Sequence, residues 1–185
     1  MSWMEVETKA KIENVKVIKE KIKSFAKFLK KTRKEDVYFT FKNIEGYPKE
    51  RFRVRKEGKK YTLNFKLGHQ GHKKTNVLAK EEFEFYVNDI KTFTAFLQEF
   101  GFKPFVQKVK HSEIYTYGNV NIEINNVKHL GWFLEVEVLC KKSQVQEAKK
   151  KIDKVLKLLS IKKSQIENTG YTKMLYEKGL FNKEI

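Results

Sequence analysis

Apolar and charged residues alternate from the start of the chain. Met4, Val6, Ala10 and Ile12 fall on one side of an extended segment, and Glu5, Glu7, Lys9 and Lys11 on the other, as the two-residue period of a strand requires. The period then changes. Val15, Ile18, Ile22, Phe25 and Leu29 recur at three- and four-residue intervals, which predicts an amphipathic helix over 14–29 with Asn14 at its N-cap. β-Branched and aromatic runs predict strands at 36–41, 51–55, 61–66 and 80–87, and GHQGHKKT at 68–75 reads as a longer loop. Ile90, Phe93, Phe96 and Leu97 form a second helical stripe, capped by Asn88 or Asp89 and stopped by Gly101. HSEIYTY and VNIEI flank Gly118-Asn119 as a hairpin, and WFLEVEVL after Gly131 is a further alternating strand. A third helix runs from Ser143 through Val155 and Leu159, and a short last one covers 171–178.

The order is therefore strand, helix, four strands, helix, three strands, helix. Short adjacent strands imply an antiparallel sheet, and about eight of them close into a barrel more readily than they stay open. The expected class is α+β, in one domain over 1–185.

Nearly every predicted strand has one apolar and one charged face. Arg51, Arg53 and Arg55 oppose Phe52 and Val54; Asn64 and Lys66 oppose Leu63 and Phe65; Lys80, Glu82 and Glu84 oppose Phe83 and Phe85. Asn121, Glu123 and Asn125 alternate with Ile122 and Ile124, and Glu135 and Glu137 with Leu134, Val136 and Val138. A sheet with helices on one side and water on the other gives the same alternation. Two details argue for an enclosed polar face instead. Glu-x-Glu recurs on three strands, where repulsion disfavours clustering unless a cation sits between the carboxylates. Arginines at alternating positions offer guanidinium forks that match phosphate oxygens. With these faces inward, a barrel would enclose a wet cavity suited to a polyphosphate and a hard divalent ion, Mg2+ or Mn2+.

Composition narrows the setting. A net charge of +17 over 185 residues makes any anion a possible partner. Much of the excess lies in stretches such as KFLKKTRK and EAKKKIDKVLK, which read as solvated helix faces. Fifteen Phe against two Pro indicate a folded chain. Cys140 is the only cysteine, so no intrachain disulfide forms and a reducing interior is expected. No stretch approaches the ~18 apolar residues of a membrane span, and the charged start does not read as a signal peptide. A cytoplasmic location without a membrane partner is the expectation. His69, His72, His111 and His129 lack metal-ligand spacing and read as surface residues.

EVETK at 5–9 matches the ExExK signature of the CYTH superfamily of triphosphate tunnel enzymes, which includes class IV adenylyl cyclases and thiamine triphosphatases. The likeness continues in order through DVYF at 36–39, RFRVR at 51–55, LNFKLG at 63–68, KEEFE at 80–84, GFKPFVQKVK at 101–110, LGWFLEVE at 130–137 and GYTKML at 170–175. The chain resembles the class IV cyclase-like branch more than the longer thiamine triphosphatases. The resemblance implies an eight-stranded antiparallel barrel whose tunnel binds a nucleoside triphosphate, inorganic triphosphate or another organic triphosphate. It places Glu5, Glu7, Glu82, Glu84, Glu135 and Glu137 at metal-side positions. Lys9, Arg53, Arg55, Lys66, Lys80 and Lys110 fall at phosphate-side positions, with Lys9 also the candidate catalytic residue. Two positions depart from the family pattern: Ser112 stands where an arginine is usual, and Asn125 where an aspartate is usual.

The implied function is metal-dependent attack on a triphosphate. Either a ribose oxygen attacks, giving cyclic AMP and pyrophosphate, or water attacks, giving orthophosphate. The alternative is a tunnel that binds nucleotide or polyphosphate with little turnover, for which the two departures are the motive. Nucleic acid is not an expected partner, because it would need exposed aromatics among the lysines and here they mostly occupy the apolar faces. A homodimer is compatible with this reading.

Overall fold

The computed structural model describes residues 4–41, 46–48, 52–67 and 78–181; Lys66, Lys80 and Glu82 enter by backbone only. Strand β1 (Met4–Lys11) leads into helix α1 (Val15–Lys23), then β2 (Lys27–Phe41), β3 (Phe52–Glu57), β4 (Lys60–Leu67) and β5 (Leu78–Tyr86). Helix α2 (Ile90–Glu99) precedes β6 (Phe102–Tyr117), β7 (Val120–Val127) and β8 (Gly131–Cys140), and helices α3 (Val145–Leu158) and α4 (Tyr171–Glu177) follow. The strands form a closed antiparallel barrel in the order β1, β5, β4, β3, β2, β6, β7, β8, with β8 returning to β1. Closure removes the free sheet edges that an open sheet would expose.

The apolar strand faces point outward, and those of most strands lie under helices, while Phe83 and Phe85 of β5 stay exposed. Val6 and Ala10 of β1, Ile122 and Ile124 of β7 and Leu134, Val136 and Val138 of β8 are buried against Ile18 and Ile22 of α1 and Ile152 and Val155 of α3. This is the main core, so the polar alternate positions of the same strands are left facing the interior. On the opposite side, Leu97 of α2 covers Phe39 and Val54. Helix α4 packs Leu175 on Phe105 and Val106, and seats Tyr171 against Phe133 and Val127.

Local chemistry sets most boundaries as predicted. Asp89 caps α2 by accepting from the Lys91 and Thr92 amides at 3.0 and 3.1 Å. Gly118 closes the β6–β7 hairpin at φ +59°, a conformation that costs a residue with a Cβ far more than glycine. Two boundaries differ from the sequence expectation. The helix predicted over 14–29 ends at Lys23, and KFLKKTRK is strand rather than helix face: its residues pair with β6, from Lys27 opposite Thr116 to Lys34 opposite Lys110. Pairing with a distant strand outweighs the helical spacing of Phe25 and Leu29. The second difference is that β6 begins at Phe102, well before the predicted hairpin strand, and runs for 16 residues. Arg51 and the 68–75 segment lie outside the described residues. Among the described residues, no helix is long and apolar enough to cross a membrane.

Candidate functional site

The inner face of the barrel has two walls of opposite character. On the first, β2, β3 and β6 converge on Asp36, a fully buried carboxylate that follows Lys34 and Glu35 and leads into Val37, Tyr38 and Phe39. Register places Asp36 between Arg55 of β3 and Lys108 of β6. Arg55 donates Nε to Asp36 Oδ1 at 2.7 Å and Nη2 to Oδ2 at 3.0 Å. Lys108 Nζ lies 2.9 Å from Oδ2, and Arg53 Nη1 3.7 Å. Burial alone would raise the Asp36 pKa, but Lys108, Arg55 and Arg53 together hold it well below the usual carboxylate range. Tyr38, one pleat along, accepts from Lys108 Nζ at 3.3 Å. Burial works against its ionisation, yet Lys108 and Arg53 overcome it and bring the phenol down to about 8. Three cationic groups thus face one carboxylate, and the surplus suits an anionic ligand.

The second wall is built by β1, β7 and β8. Register sets Glu7 directly opposite Glu137, and Lys9 and Glu123 on either side of Glu135. Opposed carboxylates are destabilising unless a cation intervenes. For Glu123 and Glu135 that cation is Lys110, whose ammonium donates to both at 2.8 Å; Lys34 adds a 3.1 Å contact to Glu123. Burial opposes charge on all three groups, but their mutual attraction prevails, keeping Lys110 protonated and both carboxylates ionised. Glu137 behaves differently. Burial first, then the charges of Glu123, Glu135 and Glu7, push its pKa up, with only the Asn121 amide at 3.2 Å acting against them.

A short polar chain crosses this wall. Ser112 donates to Asn125 Oδ1 at 2.6 Å, and Asn125 Nδ2 donates to Glu135 Oε2 at 2.8 Å. Ser112 and Asn125, the two departures from the family pattern, are therefore direct partners, buried beside Lys110 and Glu135. At one end, Lys9 donates to the Thr169 carbonyl and lies 4.3 Å above the Tyr171 ring. Burial lowers the Lys9 pKa against the pull of Glu135 and Glu7. The buried Tyr171 hydroxyl closes no hydrogen bond of good geometry but sits near enough to Glu135 for that charge to add to burial in raising its pKa.

Of the residues expected on the phosphate side, Arg53 and Arg55 stand together on the first wall. Lys9 and Lys110 instead lie among carboxylates on the second, with Lys110 bridging two of them. Glu5, Glu7, Glu135 and Glu137 lie on the two adjacent strands of the second wall, and Glu5 is buried. Glu84 is exposed, opposite the buried Asn64. Lys66 pairs with Glu82, and Lys80 with Glu5, by backbone register. Sequence reasoning assigned no role to Lys34, Asp36, Tyr38, Lys108 or Glu123. For Lys108 and Glu123 the available signal was alternation, since they share an inward parity with Lys110 and Asn125; Lys34, Asp36 and Tyr38 lie on a strand where no site candidate had been singled out.

No group of three His, Cys, Asp or Glu side chains forms a ready-made metal cage among the described residues. The donors nonetheless suit a hard ion. Glu7 and Glu137 supply carboxylate oxygens, and both the burial of Glu137 and the like charges near it, which together raise its pKa, would be relieved by a divalent cation.

A model of the CYTH domain matches residues 4–171. A Methanocaldococcus jannaschii protein named "Putative adenylate cyclase" is 30% identical over 183 residues, which cover 92% of this chain and 98% of that one. A solved Pyrococcus horikoshii protein is 32% identical with a TM-score of 0.76, covering 96% of this chain and 99% of its own. A Hippeastrum protein described as having a dominant triphosphatase activity is 14% identical with a TM-score of 0.61, covering 99% and 98% of the two chains, a likeness of fold alone.

Proposed function

The chain belongs to the CYTH domain family, and from that premise we propose that its barrel binds a triphosphate and cleaves it with the help of Mg2+ or Mn2+. The observation that carries this reading is the meeting of a cation-rich wall and a carboxylate-rich wall on one interior surface. Linked phosphates need several cationic contacts at once, and hard metals need carboxylate oxygens close to those phosphates.

Arg53, Arg55 and Lys108 would hold the phosphate chain. Asp36 aligns them, since its two oxygens fix the Arg55 fork and the Lys108 ammonium before ligand arrives. Such preorganised charge is what phosphoryl transfer requires, because its transition state is stabilised by position and electrostatics. Glu7 and Glu137 would hold the metal, which would supply charge neutralisation at the phosphate oxygens. Lys9, held between the Thr169 carbonyl and the Tyr171 ring, offers a further cation at the end of the acidic wall.

A second reading is binding without efficient turnover. It is favoured by the neutral Ser112–Asn125 pair, which replaces the charges usual at those positions. Incubating the pure protein with ATP or inorganic triphosphate and either metal, then resolving the products, separates the possibilities. Cyclic AMP with pyrophosphate identifies a cyclase, and orthophosphate a triphosphatase. Tight binding with no product identifies the second reading.

A further inference from the structure

The outer face of the barrel carries a second arrangement that the tunnel chemistry does not use. Register aligns Arg33 of β2 with His111 of β6, His111 with Asn126 of β7, and Asn126 with Trp132 of β8. All four have the outward parity, opposite to Lys34, Ser112, Asn125 and Phe133. They form one row across four adjacent strands: a guanidinium, an imidazole, an amide and an indole. The next row begins with Lys31 and Glu113. A cavity of about 320 Å3 opens here, lined by Lys31, Arg33, His111, Glu113, Ile124 and Trp132, with Thr32 and Ser112 between them on the strands. Helix α1 borders it through Lys19, whose ammonium lies 5.3 Å over the Trp132 ring.

We propose that this outer cavity binds single-stranded nucleic acid, with one base stacked on Trp132 and the flanking phosphates on Arg33, Lys31 and Lys19. Three features favour that ligand. The first is size and shape, because a sheet face with one half-buried aromatic and a cavity at the small end of the ligand-pocket range suits a single nucleotide unit. The second is the hydrogen-bonding set: His111 lines the cavity and offers a ring nitrogen in the same row as the indole. The third is charge. Lys19 and Lys31 share Glu113 at 3.0 and 3.4 Å and Arg33 pairs with Glu35 at 2.7 Å, so three cations here meet two carboxylates and phosphates would have to compete for them. Lys27 and Lys30 stand exposed further along β2, and the chain as a whole carries +17. A lipid surface is a poorer match, since Trp132 is partly covered and packs on the core rather than projecting. An acidic peptide would use the cations but leave the stacked face without a role.

The expectation is that the aromatics mostly occupy the apolar strand faces, and Trp132 does so with cations close by; Phe28 of β2, exposed between Lys27 and Lys30, is another aromatic among lysines. Trp132 sits on the apolar parity of β8 and is partly covered, with Lys19 of α1 over its ring, while the outer face of β6 and β2, across β7, carries Arg33 and Lys31 toward the same cavity.

Trp132 is itself the probe, because the chain has two tryptophans and Trp3 lies outside the described residues. In a Trp3→Phe background, emission is followed while a single-stranded oligonucleotide of about ten nucleotides is added. The expected result is saturable quenching, with affinity lowered about tenfold or more by Trp132→Leu, measured by anisotropy of labelled oligonucleotide. Arg33→Glu should weaken binding and reduce the salt slope by about one or more. Inorganic triphosphate should not compete. Unchanged emission, equal quenching by heparin, displacement by triphosphate, or unaltered affinity in Arg33→Glu would each overturn the proposal. Arg33 and His111 are exposed, so Arg33→Glu and His111→Ala decide the matter if Trp132→Leu fails to fold. None of these outcomes depends on whether the tunnel is an enzyme.

Discussion

The two inner walls solve the problem of buried charge in opposite ways. On the wall of β2, β3 and β6, one carboxylate organises three cations and leaves a positive surplus. On the wall of β1, β7 and β8, Lys110 and Lys34 neutralise Glu123 and Glu135, while Glu137 keeps a raised pKa beside like charges. The first wall is a cradle made before its anion arrives. The second is balanced except along its Glu7–Glu137 edge, and that edge is where a cation gains most.

The strongest way to break the contrast is to remove the carboxylate that organises the cationic wall. Asp36→Ala removes the buried carboxylate that Arg55, Lys108 and Arg53 share, and should cost about 3–5 kcal/mol in urea unfolding. Adding inorganic triphosphate should restore part of that loss by mass action. A cost of a few tenths, as for a surface ion pair, would show that Asp36 does not organise the wall.

A matched pair of variants sharpens the comparison. Arg55→Ala should weaken triphosphate binding by about 1.5–3 kcal/mol, the range for a charge-assisted contact. Its metal titration at saturating ligand should be little changed. Glu137→Gln should do the reverse, weakening Mg2+ or Mn2+ dependence while leaving metal-free affinity for triphosphate nearly intact. If both variants shift both titrations equally, the walls do not divide the labour.

Positions 112 and 125 test the coupling within the acidic wall. Asn125→Asp adds a negative charge beside Glu135, and Ser112→Arg a positive one beside Lys110. Since the two side chains touch, the double variant should be better than the sum of the singles by about 1 kcal/mol in triphosphate turnover or affinity. Strict additivity would separate them.

The smallest expected effect concerns pH. Tyr38 titrates near 8 in the fold, below the ordinary phenol value of about 10. Its contribution to stability is therefore full above about 10 and is lost as pH falls through 8. Between those values the wild-type protein should gain on the order of 1 kcal/mol relative to Tyr38→Phe, measured by denaturant unfolding at each pH. Ionised Tyr38 also competes for Lys108 and Arg53, so triphosphate affinity should fall over the same range in the wild type only.

Much of this architecture was legible in residue alternation. Period two at 4–11, 52–57, 120–127 and 131–140 gave both the strands and their charged inner faces, because a closed barrel turns one parity wholly inward. The α1–β2 boundary was not legible. Phe25 and Leu29 fall by chance on the helical period of Ile18 and Ile22, and the β6 partner that draws 27–41 into a strand lies far along the chain. Asp36 was visible only as part of DVYF. Nothing local separates it from the neighbouring Glu35 and the charged run before it, and its meaning comes from Arg53, Arg55 and Lys108 on two other strands. Lys110 was placed on the phosphate side because the family resemblance implied it. Its partners, Glu123 and Glu135, are set by the pairing of β6, β7 and β8 rather than by neighbours in sequence.

The division of the tunnel into an anion cradle and a cation edge is tested most directly by calorimetric titration with inorganic triphosphate, ATP and AMP, each with Mg2+ and with EDTA. The account predicts that both triphosphates bind at least about tenfold more tightly than AMP, since only linked phosphates reach several cations at once. It also predicts that Mg2+ tightens triphosphate binding in the wild type and much less in Glu137→Gln. Equal affinity for AMP and triphosphate, with no dependence on the metal, would contradict it.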